Sequence, residues 1–147
     1  MLRAKDVMSK RVLTFTPDQT LREAASLLIK RKSTGAPVVD AEGRLLGVLS
    51  QHDILRRADQ QDRGQVPAFY YEGDRVAISR ETPRLGDAPV REVMTRRIIT
   101  VSPETPLRAI AKIMLAKKIH RVIVAEKGAL RGLVSSLDLI RGLAGTK

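Results

Sequence analysis

The chain has 147 residues, 43% of them hydrophobic and 29% charged, which is one compact domain's worth of sequence with apolar content enough to bury a core and too high for wholesale disorder. Cysteine is absent and only His52 and His120 represent histidine, which excludes disulfides, thiolate metal sites, cysteine nucleophiles and a histidine-rich metal centre. The formal net charge of +11, from 27 basic and 16 acidic residues, calls either for an anionic partner (nucleic acid, an anionic membrane surface or a phosphorylated small molecule) or for a generally basic solvated surface.

In chain order, the opening MLRAKDVMSKRV lacks the apolar stretch of a secretory signal, and no run of about 18 apolar residues follows that would span a membrane. With the missing cysteines, this makes the cytoplasm the expected compartment. VLTF (12 to 15) predicts a short strand. Thr16-Pro17 sets a hydroxyl N-cap directly before a proline, with Gln19 at the capping-box position, and predicts that a helix opens there. Leu21, Ala24, Ala25 and Leu28 form the apolar stripe of that helix. APVVD (36 to 40) reads as a buried strand, AEGR as a turn, LLGVLS as a second strand, and the residues from Gln51 as a closing helix that Ala58 to Arg63 extend.

Residues 57 to 90 form an extended connector holding Phe69, Tyr70 and Tyr71. Pro67, Pro83, Pro89 and the glycines argue against one continuous helix, and the aromatic cluster is expected to pack against the module or a dimer mate. Beyond it the same order returns. IITV (98 to 101), Ser102-Pro103, the stripe Leu107, Ile110, Ala111 and Met114, the strand RVIVAE (121 to 126), the turn EKGA, the strand LRGLVS and a helix from Ser136 repeat the first half element by element.

The repeat is also exact in spacing at many positions. Met94, Thr100, Pro103 and Leu107 stand 86 positions after Met8, Thr14, Pro17 and Leu21. Past Gly128 the offset is 85, aligning Gly47 with Gly132, Ser50 with Ser135, Asp53 with Asp138 and Arg56 with Arg141. This is a duplication of a strand-helix-strand-strand-helix unit, an α/β (α+β) architecture. A unit of about 50 residues is too small to cover its own sheet, so two are expected to pack together. The expected organisation is a first repeat over 1–56, a connector over 57–90 and a second repeat over 91–147.

The phrases VLTFTPDQTLREA, GAPVVDAEGRLLGVLSQHDIL, IITVSPETPLRAI and IHRVIVAEKGALRGLVSSLDLI resemble cystathionine beta-synthase (CBS) domains of the stand-alone two-repeat type. The resemblance implies a pseudo-two-fold module of tandem CBS repeats with two clefts for adenine nucleotides, and commonly a disc-shaped homodimer. It implies a regulatory protein, not an enzyme, that senses AMP, ADP, ATP or S-adenosylmethionine, needs no obligatory cofactor, and passes its signal to a separate effector protein.

Within the duplicated phrase, Gly47 and Gly132 allow close backbone approach at the cleft, and Ser50 and Ser135 stand where a strand passes into a helix. Asp53 and Asp138 fall in the first turn of that helix, where an ionised carboxylate can accept from both hydroxyls of a ribose. The structural alternative is that Ser is an N-cap and Asp a first-turn anion. By resemblance, His120 and Arg121 are the phosphate contacts of the second copy. The first copy has Ser33, Thr34 and Gly35 in those places, so its own cleft is expected to bind more weakly or stay empty. The resemblance also places adenine against Val12, Leu13, Thr14, Ala36 and Pro37 opposite Asp138, and against Ile98, Ile99, Thr100, Val122 and Ile123 opposite Asp53. Lys30, Arg31, Lys32, Lys117 and Lys118 read as helix-end cations that complement the helix dipole.

Two other functions compete. Nucleic-acid binding is suggested by the charge, although the basic residues are spread over both copies and the few aromatics do not alternate with them as a stacking platform. A structural dimerisation module without ligand is the other. Catalysis is not expected, since the chain has no cysteine, no HExxH, no GxxxxGK[ST] loop and no paired-carboxylate site.

Overall fold

A computed structural model describes residues 1–61, 69–78 and 86–145, with 59–61 and 69–72 described by their backbone. The elements in chain order are α1 (Ala4–Val7), α2 (Leu21–Lys30), β1 (Gly35–Val39), β2 (Leu45–Ser50), α3 (Gln51–Gln61), β3 (Phe69–Glu72), β4 (Arg75–Ile78), α4 (Val90–Val93), β5 (Thr100–Val101), α5 (Leu107–Lys117), β6 (Arg121–Glu126), β7 (Ala129–Ser135) and α6 (Ser136–Ala144). They form two compact units. One holds the first copy and comprises Leu13–Glu42 and Leu46–Ile98; the other holds the second copy and comprises Met1–Val12, Gly43–Leu45 and Ile99–Lys147.

In the first-copy unit, Phe15 bridges Val38 in parallel, with its N–H on Pro37 O and its carbonyl on Val39 N, both at 2.9 Å. β1 pairs with β2. α2 lays Leu21, Ala24, Ala25 and Leu28 against this sheet, and together with Phe15, Val38, Leu49 and Ile54 they make a continuous core. Each large apolar side chain buried this way contributes roughly 1.5–3 kcal/mol. In the second-copy unit, β5 pairs in parallel with β6 and β6 antiparallel with β7. Leu107, Ile110 and Met114 of α5 pack with Val101, Val122, Val124, Val134 and Leu139. The β6–β7 turn has Lys127 and Gly128 at φ 52° and 81°, the paired positive angles of a two-residue hairpin loop.

Three features differ from the sequence reading. First, Thr16-Pro17 and Ser102-Pro103 do not open helices. Gln19 N donates to Thr16 O at 3.3 Å and Thr105 N to Ser102 O at 3.1 Å, so each hydroxyl–proline pair begins a β-turn with proline at its second position. α2 starts four residues later, capped by Thr20, whose hydroxyl accepts Glu23 N. α5 follows Pro106 with no side-chain cap. Second, the predicted opening strands are shorter than VLTF and IITV, reduced to the Phe15 bridge and the two residues of β5.

Third, the connector contains a β-hairpin. β3 and β4 pair antiparallel, Tyr71 opposite Val76 and Tyr70 opposite Ala77, around Gly73 at φ 65°. Val76 and Ile78 join the first-copy core, and Arg75 donates to Lys32 O at 2.8 Å. The side chains of Phe69, Tyr70 and Tyr71 lie outside the described residues, as do residues 62–68 and 79–85 of the connector. The predicted extension of the preceding helix is present as far as Gln61.

The short helices also carry an exchange. α1 precedes the first copy in sequence yet belongs to the unit of the second, where Ala4 N donates to Thr105 O at 2.8 Å and Lys5 N to Pro103 O at 3.0 Å. α4 precedes the second copy yet belongs to the unit of the first, with Val90 N on Gln19 O at 2.8 Å and Arg91 N on Pro17 O at 3.0 Å. Ala4 and Val90 are both fully buried.

Candidate functional site

In the second-copy unit β7 runs directly into α6. Ser135, in extended conformation, caps the helix: its hydroxyl accepts Asp138 N at 3.1 Å while Asp138 Oδ2 accepts Ser135 N at 2.8 Å. The Ser-x-x-Asp spacing is therefore that of a capping box, in which the carboxylate that returns to the hydroxyl residue lies three positions after it. That box occupies only one carboxylate oxygen. Oδ1 of Asp138 has Arg141 Nη1 at 3.8 Å, and the side chain keeps 18% of its surface exposed. A carboxylate offers about four acceptor positions, so this oxygen can take hydroxyl donors from a ligand.

The cations predicted for phosphate come to the same end of the sheet. Arg121 begins β6 directly opposite Ser135, and the carbonyl of His120 accepts Ser136 N, the first amide of α6, at 2.8 Å. Both side chains are exposed. A helix N-terminus, a partly exposed carboxylate and two basic side chains thus share one corner of this unit.

The first copy builds the same box and then closes it. Asp53 Oδ2 accepts Ser50 N at 2.9 Å and the Ser50 hydroxyl at 3.0 Å, and Asp53 N donates back to Ser50 Oγ at 3.2 Å. Asp53 Oδ1 accepts the Thr95 hydroxyl at 2.9 Å and has Arg56 Nη2 at 3.5 Å. The side chain is only 4% exposed. Gln51 N donates to Thr34 O at 2.8 Å, so Thr34 and Gly35 occupy the places that His120 and Arg121 hold in the other copy. A Cβ at Gly35 would lie 3.0 Å from Leu49 O and 3.2 Å from Ser50 Cα, and the Ser33 hydroxyl is spent on Gly35 O at 2.7 Å.

Gly47 and Gly132 do allow a close approach, but it is the chain's own backbone that approaches. A Cβ on Gly132 would meet Met8 Sδ and Ser9 O at 2.8 Å, and one on Gly47 would meet Met94 Sδ and Thr95 O at 2.8 Å. Ser9 exchanges backbone bonds with Leu133 at 2.9 and 3.0 Å; Thr95 does so with Val48 at 2.8 and 2.9 Å. The glycines seat the segments that follow α1 and α4.

The residues assigned to adenine divide between the units. The Phe15 bridge sets Leu13 and Thr14 beside Ala36 and Pro37 of β1, and the β5–β6 pairing sets Ile99 and Thr100 beside Val122 and Ile123. Val12 belongs to the second-copy unit and Ile98 to the first. Ala36, Pro37, Val122 and Ile123 are buried, Leu13 and Thr14 partly so, and Ile99 and Thr100 exposed. Sequence reasoning missed Thr95, whose only signal was its alignment with Ser9, another hydroxyl residue. Among the described residues no group of three or more His, Asp or Glu is placed to hold a metal ion, and no helix is long and apolar enough to cross a membrane.

The CBS domain model matches residues 4–59 and 90–145. The CBS domain-containing protein YhcV of Bacillus subtilis (strain 168) is 31% identical over 139 residues, covering 95% of this chain and 84% of that protein. Among solved structures, CBSX2 in complex with AMP superposes with a TM-score of 0.76 at 23% identity, covering 99% of this chain and 98% of that one. The CBS domain pair of protein MJ0100, in complex with 5′-methylthioadenosine and S-adenosyl-L-methionine, superposes with a TM-score of 0.70 at 26% identity, covering 100% and 99%. Two matched repeats, the mixed helix-and-strand fold and these relatives make the chain a member of the CBS domain family.

Proposed function

We propose that this chain is a regulatory module that binds an adenosine-containing ligand, AMP, ADP, ATP or S-adenosylmethionine, and signals by a change of conformation. The observation that carries the reading is the corner formed by Ser135, Asp138, His120 and Arg121, where one carboxylate oxygen keeps acceptor capacity beside two exposed basic side chains. Asp138 serves the ribose hydroxyls, and Arg121 with His120 the phosphate; a guanidinium grips phosphate through parallel donors. Leu13 and Thr14 with Ala36 and Pro37, and Ile99 and Thr100 with Val122 and Ile123, are apolar walls suited to a flat base. The MJ0100 pair, which holds two adenosine-derived molecules, supports the ligand class.

Signalling requires that the ligand prefer one of two states of the protein. A homodimer acting on a separate effector in the cytoplasm fits the reading, and the exposed stripe Leu137, Ile140 and Leu143 on α6 is apolar surface that a dimer would cover. Calorimetric titration with the three nucleotides and S-adenosylmethionine tests the proposal. At least one is expected to bind, with affinity roughly 10- to 100-fold weaker in Asp138→Ala, the worth of charge-assisted hydrogen bonds. No binding by any of them, alongside steeply salt-dependent binding of DNA or RNA, would transfer the function to the basic surface.

A further inference from the structure

The two duplicated carboxylates are not equivalent, and the residue that distinguishes them is Thr95. Its hydroxyl donates to Asp53 Oδ1 at 2.9 Å, Arg56 stands on the same oxygen at 3.5 Å, and the other oxygen is held by Ser50 N–H and O–H. All of Asp53's acceptor directions toward its surroundings are thereby taken by the chain itself, and 4% exposure leaves no room for another donor. The position that aligns with Thr95 in the other copy is Ser9. Its backbone makes the same bridge, to Leu133, but its hydroxyl donates to Arg11 O at 3.4 Å and leaves Asp138 alone.

We infer that Thr95 is a specificity-determining residue that closes the first-copy carboxylate to a ribose, so that the chain takes one adenosine-containing ligand, at Asp138, and uses Asp53 as an internal clasp. The inference rests on the reading of Asp138 as a ribose acceptor. A ligand diol seeking Asp53 must first displace the Thr95 hydroxyl, an exchange of one donor for another that gains nothing from the carboxylate. Where a buried charge already has its hydrogen bonds, a new partner contributes only the difference between the two. The clasp is also structural. Thr95 sits on the segment after α4 and is seated over Gly47 by its backbone bonds to Val48, so the hydroxyl ties that segment to the first turn of α3.

Equilibrium dialysis of the full chain with radiolabelled adenosine separates the possibilities. Adenosine has no phosphate, so the missing cation at Gly35 does not enter the result. The wild type is expected to hold one adenosine per chain, Asp138→Asn to bind roughly 10- to 100-fold more weakly, Thr95→Ala to gain a second site, and Thr95→Ser to remain at one. Circular dichroism melting confirms that each variant is folded. Two adenosines per wild-type chain, or one per chain in a folded Thr95→Ala, overturns the inference while leaving ligand binding intact. Absence of adenosine, AMP and S-adenosylmethionine from wild type and all variants would instead remove the ligand-binding reading itself, and this inference with it.

Discussion

The two copies share a capping box and differ in everything that surrounds it. In the first, a carboxylate that is 4% exposed is tied to Thr95, Ser50 and Arg56, and the neighbouring strand begins with a glycine whose Cβ position is crowded by backbone at 3.0 Å. In the second, the carboxylate is 18% exposed, has one oxygen approached only by Arg141 at 3.8 Å, and has Arg121 across the sheet. Duplication preserved the backbone solution, a strand entering a helix through Ser and Asp, because that solution is a local requirement of the fold. It left the second carboxylate oxygen free to diverge. One copy turned it inward as a tie, and the other kept it toward solvent.

Perturbing aligned positions should make this contrast measurable, and the largest effect is expected in the core. Phe15→Ala empties a fully buried site in the first-copy unit and should cost about 3–5 kcal/mol. Its counterpart is the smaller Val101, so Val101→Ala should cost less; chemical denaturation of both variants checks the order. Thr95→Val removes a hydrogen bond to a buried carboxylate and should cost about 1.5–3 kcal/mol, whereas Ser9→Ala, which leaves Asp138 untouched, should stay within about 0.5 kcal/mol of wild type. Equal losses in the two would show that the copies are tied alike.

Gly47→Ala and Gly132→Ala should each cost about 1–3 kcal/mol, because the added methyl meets a backbone carbonyl as well as the adaptable methionine. Here the copies should agree, and thermal melts that separate them would sharpen the comparison. The smallest effect concerns the ion pairs that hold the short helices. Glu104 accepts from Lys5 Nζ at 2.7 Å and from Arg3 at 3.1 Å, and Asp18 pairs with Arg91 at the aligned place. The hydrogen bond from Lys5, followed by the charges of Lys5 and Arg3, lowers the Glu104 pKa below its ordinary value of 4.5. A carboxyl lowered on folding stabilises the protein above its unfolded pKa, and that stabilisation disappears as the pH falls through the folded one. Wild type should therefore lose slightly more stability than Glu104→Gln on acidification below about pH 4.5. The residue is exposed and the pair solvent-screened, so the difference should be small.

Much of this was legible in the sequence because it is local or repeated. The stripes Leu21, Ala24, Ala25, Leu28 and Leu107, Ile110, Met114 are buried as their spacing predicts, with Ala111 of the second only partly so, and β6, β7 and the start of α6 fall where the pattern puts them. The helix starts were misread for a physical reason: a hydroxyl before proline serves a β-turn as well as a helix cap, and only the later register of the apolar stripe tells them apart. The β3–β4 hairpin was hidden because its two strands are four residues each, flanked by proline and glycine that read as loop. The Thr95–Asp53 bond joins residues 42 positions apart and leaves no periodic trace. Likewise, alignment of the copies shows that Met8 and Met94 correspond, but not that each seats over the glycine of the other copy.

That last arrangement bears on how such a protein could be divided. Cutting the chain at residue 89 would send α4 away with the second copy and strip the first of Val90 and Met94, both part of its core, while the other fragment would lose Ala4 and the Met8 that fills the space over Gly132. Neither fragment would be whole, and each would carry the piece its sibling lacks. The linear order of the copies is thus not the order of the folded units, and a fragment boundary drawn between the repeats cuts through both cores.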